Sequence, residues 1–211
     1  FRKPPRIWHG APEAPLTANL HLDVDDAALA KVRIRQQDAV WTISFPLEAP
    51  SADHILLGLI PDGEAEVTVQ ILNEKDQETW PEPLHHMPRD VPVSPLEMPP
   101  LQTHASDPAR MAGNFTFMTV RRRAPGRIPD MTPAQRRFTT QWGMIIAVDH
   151  RGRMRWMRKL GKRVAGIEQL ENGNLFVHDT ESCSREIDMA GETGRAWYAR
   201  QRPQGAFDGG I

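Results

Sequence analysis

The side chains with chemistry to offer are eight histidines, one cysteine and a dense run of arginines in the second half of the chain. A zinc hydrolase would place two histidines one helical turn apart with a glutamate between them, and no H-E-x-x-H spacing occurs. An acyl-transfer nucleophile on a strand-to-helix elbow would read G-x-S-x-G, and that too is missing. His85 and His86 stand among prolines and are expected to form a solvated loop pair. His178 and Asp179 close a strand near Cys183 and read as strand-end polar residues. Asp23, Asp25 and Asp26 have the opening spacing of a calcium loop but lack its glycine and closing glutamate, so a turn with solvated carboxylates is expected. Cys183 has Arg185 two residues on, a neighbour able to favour a thiolate, against the simpler reading of a small packed thiol. No residue is assigned a catalytic, cofactor-binding or metal-ligating role, and no cofactor is implied.

Arg121, Arg122, Arg123, Arg136, Arg137 and the run Arg151, Arg153, Arg155, Arg158, Lys159, Lys162, Arg163 are the strongest charge signal. In RGRMRWMRK the charges alternate with Gly152, Met154 and Trp156, which predicts a strand with one cationic face and one packed inward. Such a face would be solvated, dock on an acidic domain, or meet an anionic ligand; nucleic acid is the least favoured partner. Residues 11–109 hold 17 acidic and 5 basic side chains, whereas residues 110–163 hold 14 basic ones against Asp130 and Asp149, so opposite halves are expected to attract.

The elements that must carry these residues read as strands. LTANLHLDV, KVRIR, AVWTISF, HILLGL and EAEVTVQIL alternate apolar and polar positions between Asp, Pro and Gly signals, the spacing of an immunoglobulin- or fibronectin-like β-sandwich over residues 1–80. Ala65, Val67, Val69 and Ile71 are expected on one face of EAEVTVQIL, with the Pro61-Asp62-Gly63 turn before it. Residues 81–112 hold prolines at 81, 83, 88, 92, 95, 99, 100 and 108, which should exclude regular strands and leave a linker or a covering arm.

Over residues 113–211, NFTFMTV is a strand, a loop follows with Pro125, Gly126 and Pro129, and Thr132-Pro133 are the N-cap and first residue of one short helix. Asn172-Gly173, between two apolar runs, predicts a type I′ hairpin turn. Asp149, Gly152 and Trp156 recur as Asp188, Gly191 and Trp197, the aspartates 39 residues apart, the period of a four-stranded propeller blade. The fold expected is therefore all-β: a sandwich, then the first one to one and a half blades of an incomplete β-propeller. An ordinary sandwich or meander is the alternative for the second part.

The order LTANL, LLGLIP, a proline-rich stretch, then IIAVDHRGRMRW, LENGNLFVHD and REIDMAGE resembles the N-terminal portion of the bacterial arylsulfate sulfotransferase family. The resemblance implies a six-bladed propeller behind a sandwich domain, and transfer of a sulfuryl group from an aryl sulfate donor to a phenolic acceptor through a sulfohistidine. Catalysis of that kind is nucleophilic, with His, Arg and Asn side chains stabilising the transferring group. The family's first channel histidine follows soon after QRPQGAFDGGI, so no catalytic position carries over, and the chain by itself is expected to be inactive. A non-catalytic binding or scaffold protein is the rival reading.

The resemblance also suggests a periplasmic or extracellular setting. The single cysteine excludes an internal disulfide, but a protein without disulfides fits cytosol and periplasm alike, so the cysteine count leaves the compartment open. Phe1 to Pro12 lack the order of a signal peptide, and no apolar run approaches the roughly 18 residues of a membrane span. Strands left without further blades would expose open edges and favour self-association.

Overall fold

The computed structural model describes residues 1–25, 29–73, 76–92, 94, 97–98, 100–104, 106–111, 113–124, 130–179 and 183–198. Asp26, the Pro125-Gly126-Pro129 loop and residues 201–211 lie outside the described residues. Among the described residues the chain is all-β with one short α-helix, its strands forming four antiparallel sheets, none of them closed. It divides into two compact units, Phe1–Pro100 and Leu101–Ile211, the division falling within the proline-rich stretch.

The first unit holds β1 (Lys3–His9), β2 (Ala18–Asp23), β3 (Leu29–Gln36), β4 (Ala39–Pro46), β5 (Ser51–Leu56), β6 (Ala65–Leu72), β7 (Gln77–Thr79) and β8 (Leu84–His86). One sheet has the order β1-β2-β5; the other runs β4-β3-β6-β7, with β8 also on β6. The alternation read from the sequence of β6 is present: Ala65, Val67, Val69 and Ile71 are buried and the residues between them half-buried. Val32 and Ile34 of β3, with Leu20, Leu22 and Leu56 of the other sheet, are fully buried core. The turn after β5 is held from inside by Gln36. Its amide donates to the Ile60 and Gly63 carbonyls at 2.8 and 2.7 Å, and its Oε1 accepts from Ile60 N at 2.8 Å. A buried amide with its hydrogen bonds made does not carry the desolvation cost of an unpaired one.

Two strands contain or adjoin prolines. β1 contains Pro4 and Pro5, but it is an edge strand and its register slips between Lys3 and Arg6, where missing amide donors cost little. β8 interrupts the stretch expected to exclude strands: Leu84, His85 and His86 lie between Pro83 and Pro88 and need only three positions to pair with Ala65, Glu66 and Val67. His86 is consequently buried, correcting the solvated pair expected of His85-His86.

The second unit holds β9 (Phe115–Arg121), α1 (Pro133–Thr140), β10 (Gly143–Asp149), β11 (Met154–Leu160), β12 (Val164–Gln169), β13 (Leu175–Asp179), β14 (Cys183–Ile187) and β15 (Thr193–Tyr198). β9, β10 and β11 form one meander, and β12 to β15 a four-stranded one. α1 starts as read: Pro133 opens it, and Thr132 caps it through a reciprocal pair with Gln135.

Candidate functional site

Among the described residues of the second unit, three hairpin turns are alike. In each, the first residue's amide donates to the fifth residue's carbonyl and the fourth residue, a glycine, donates back to the first. The pairs are Asp149–Arg153 with Gly152, Leu170–Asn174 with Gly173, and Asp188–Glu192 with Gly191. The glycines have φ of 75°, 85° and 90°, the left-handed region where a Cβ is penalised. This is a three-residue loop, a type I turn closed by a left-handed glycine. The type I′ turn expected at Asn172-Gly173 is therefore corrected: I′ needs positive φ at both central residues, and Asn172 is not among the positive-φ residues.

Asp149 does more than start its turn. Its Oδ1 accepts from the amides of Arg151 and Arg153 at 2.9 and 3.0 Å, and its Oδ2 from Arg153 Nε at 2.9 Å and Arg155 Nη1 at 3.2 Å. Burial alone would raise its pKa; the hydrogen bonds from Arg153 and Arg151 outweigh that and hold it below the usual carboxylate range. Arg155 is buried beside it, its own pKa lowered by desolvation against the pull of Asp149, and it stands over the Phe115 ring at 5.9 Å. The register explains this: the β10–β11 ladder slips between Ala147 and Val148, leaving Arg155 as the extra residue of a β-bulge. The expected one-sided cationic strand is thus corrected, since Arg155 turns inward with Met154, Trp156 and Met157. An aspartate with four donors on it is a structural anchor, not a general base.

The repeat survives in part. Asp149/Gly152 and Asp188/Gly191 are equivalent in hydrogen bonding, and Asp188 Oδ1 likewise accepts from Glu192 N at 2.8 Å. Phe117 and Phe176 are equivalent too, each paired opposite the residue two before its aspartate, Ala147 and Glu186. The tryptophans are not equivalent. Trp156 is 3% exposed, packs edge-on against Phe117 and donates its indole N–H to the Met189 carbonyl at 2.9 Å, tying the two sheets together. Trp197 lies two residues further from its aspartate, is 41% exposed and leans on Phe176 at 5.7 Å.

At the far ends of β13 and β14, Asp179 Oδ2 accepts from Arg185 Nη2 at 2.5 Å and Oδ1 from Cys183 N at 3.3 Å. Cys183 is buried, 3.7 Å from Arg185 Nη2, which is engaged by Asp179. Tyr198, opposite Cys183 on β15, has its pKa raised by burial and then by Cys183. His178 is exposed, its Nδ1 3.0 Å from Ser184 Oγ. Leu160, Gly161, Lys162, Val177, Asp179 and Arg185 line a cavity of about 170 Å³ here. A more open groove of about 310 Å³ runs past Asn172, Asn174, Glu186 and Arg195, where both asparagine amides donate to Glu186 and hold its pKa low.

In the first unit Asp23 is buried and paired with Lys3 at 2.7 Å, and Asp25 with Arg2 at 2.7 Å, so the expected solvated turn is an ion-paired one. His85 meets Glu64 at 3.0 Å. Among the described residues no group of three or more His, Cys, Asp or Glu could hold a metal ion, and no helix is long and apolar enough to cross a membrane. The signal that sequence reading missed was the five-residue form of the Asp149 turn, visible in D-H-R-G-R, L-E-N-G-N and D-M-A-G-E once glycine at the fourth place is sought. No protein-family model matches the chain, and no curated protein matches it.

Proposed function

We propose that this chain belongs to a sulfuryl-transferring enzyme of the arylsulfate sulfotransferase kind, its first unit an immunoglobulin-like sandwich and its second the opening blades of a propeller. The observation that carries the reading is the recurrence, 39 residues apart, of the Asp-capped, glycine-closed turn on successive antiparallel meanders, with the Trp156 indole tied to the second copy at Met189. The second meander has the four strands of a blade; the first has three. The chemistry is a double displacement. The S–O bond to the donor breaks as an S–N bond to a histidine forms and a phenolate leaves; the acceptor oxygen then bonds to sulfur as the S–N bond breaks, freeing the histidine, and its proton passes to solvent. No histidine of these 211 residues is assigned as that nucleophile.

The test is to express the complete product of the gene and follow phenolate release from a chromogenic aryl sulfate with and without a phenol acceptor. Acceptor-dependent release, with a sulfuryl adduct on a histidine by mass spectrometry, is expected; none from a folded complete protein refutes the reading. A second reading, a binding scaffold, is favoured by two surface features of the last meander, the exposed Trp197 and the polar groove at Glu186. Turnover by the 211 residues alone would overturn it.

A further inference from the structure

The water-facing side of the three-stranded sheet in the first unit carries a constellation that no spacing in the sequence announces. Along β2, Ala18, Leu20 and Leu22 are buried, so Asn19 and His21 point the other way, and on β5 the exposed Ser51, Asp53 and Ile55 alternate with Ala52 and His54. The register sets His21 directly opposite Asp53, and Asp23 opposite Ser51, which places Ser51 diagonally from His21 on the same face. The pairing of β2 with β5 thus closes a gap of 30 residues between the histidine and the serine.

Two hydrogen bonds join the three side chains. His21 Nδ1 lies 2.6 Å from Asp53 Oδ1, and Ser51 Oγ lies 3.4 Å from His21 Nε2. An ionised carboxylate only accepts, so in the neutral ring Nδ1 carries the hydrogen donated to Asp53, and Nε2 keeps the lone pair that the serine hydroxyl faces. The second contact is what separates this set from a plain surface His–Asp pair. Carboxylate, imidazole and hydroxyl in that order are a nucleophilic serine, its general base and the group that holds the base in the right tautomer, a set recognised by geometry and roles, not by sequence position. The 3.4 Å contact is long, as nucleophile and base commonly are before a substrate is bound.

We infer that Ser51 is a nucleophile toward activated carboxylic esters, with His21 as its general base and Asp53 as the residue that positions the ring. Ser51 Oγ bonds to the carbonyl carbon as its proton passes to His21 Nε2; the bond from that carbon to the leaving oxygen breaks, a phenolate leaves, and the imidazolium proton passes to solvent. Water then adds to the acyl carbon as Nε2 takes its proton; the bond from Oγ to that carbon breaks, Oγ recovers the proton from Nε2, and the carboxylic acid leaves. The His21 and Asp53 side chains are 32% and 60% exposed, so water solvates the oxyanion of each addition step, and the esters that react are those whose leaving group is stable as an anion. Further along the same face the exposed Trp8 and Ile55 flank Asn19 and give an apolar acyl chain a surface to lie on. The inference does not rest on sulfuryl transfer: its substrate is a carboxylic ester and its nucleophile a serine of the first unit.

The experiment incubates the 211-residue chain with 4-nitrophenyl butyrate, follows release of 4-nitrophenolate, and maps acyl adducts by mass spectrometry after acid quenching. Release above the buffer rate is expected, with a butyryl group on the peptide that holds Ser51. General-base help is worth about 10²–10⁴-fold, so Ser51→Ala and His21→Gln should each lower the protein-dependent rate at least about tenfold. Circular dichroism and the urea midpoint, matched to the parent, show that each variant is folded. Asp53→Asn should slow release, and the ¹⁵N shifts of the His21 ring should lose the Nδ1–H tautomer that the parent shows, a change that a purely structural role for Asp53 would not produce. The inference is overturned if release does not exceed that in buffer, if the adduct lies on another residue, or if folded Ser51→Ala or His21→Gln releases phenolate as fast as the parent. An unchanged rate and tautomer in Asp53→Asn would overturn the role given to Asp53.

Discussion

Acid should weaken the first unit at His86. Its ring is buried on β8 opposite Ala65, its Nε2 has no acceptor, and the His9 ring lies 5.0 Å away, edge-on. Burial, and secondarily the His9 charge, push its pKa from 6.5 down to about 4. A histidine depressed on folding binds its proton more readily in the unfolded chain. Its neutral form therefore stabilises the fold fully above about pH 6.5, and that contribution is lost as pH falls from there towards 4. At about 1.36 kcal/mol per pKa unit the whole loss is about 3 kcal/mol, of which about 2 kcal/mol is gone by pH 5. With a urea slope of about 1–3 kcal/mol/M, the midpoint of the first unit should drop by about 1 M between pH 7.5 and pH 5 from this residue alone. The assay is urea unfolding at both pH values for the parent and for His86→Phe, which fills the site with a ring that cannot charge. A ¹H–¹⁵N titration of the histidine ring nitrogens accompanies it. The variant should lose about 2 kcal/mol less on acidification than the parent. An equal loss in both, or a His86 ring that titrates near 6.5, refutes the reasoning.

Two further outcomes follow from the turns and from the joint between the meanders. Gly152→Ala should cost more than Gly173→Ala although both glycines have positive φ, because a Cβ at 152 would stand 1.8 Å from Thr103 Oγ1 while one at 173 meets nothing within 4 Å. Thermal unfolding should show about 1 kcal/mol lost at Gly173 and about 2–3 kcal/mol at Gly152, with part of the difference restored by Thr103→Ala. Trp156→Phe removes the donor to the Met189 carbonyl at a buried joint and should cost about 1–3 kcal/mol, whereas Trp197→Phe, at an exposed position, should stay within about 0.5 kcal/mol. Equal costs at the two tryptophans would show that Trp156 does not join the sheets.

What the sequence disclosed and what it hid divide along the range of the forces involved. Alternation in β6 and the Thr132-Pro133 start of α1 are short-range patterns, set by side-chain parity and a cap, and they are legible because their causes lie within a few residues. The type of the Asn172-Gly173 turn was misread because the dipeptide alone does not state the register of the strands around it; Leu170 pairing with Asn174 makes the loop three residues, not two. β1 and β8 were hidden for a different reason. Their prolines argue against strands locally, yet partners distant in sequence, β2 and β6, offer edges that need few donors.

The candidate site was less legible than the fold, and charge is the reason. A run such as R-G-R-M-R-W-M-R-K announces cations but not their partners, and the same five-residue spacing can put a guanidinium in water or in the core. One bulged residue decides it here: the ladder slip beside Val148 sends Arg155 inward to Asp149, so the cation most central to the run is neutralised by its own hairpin. Past Leu160 the strand has ended, and there Gly143 admits the crossing chain, whose Arg163 amide donates to the Thr140 carbonyl. Whether a cation of this run is buried or left towards the surface is thus decided by where its ladder is broken and where it is regular, which a count of arginines cannot express.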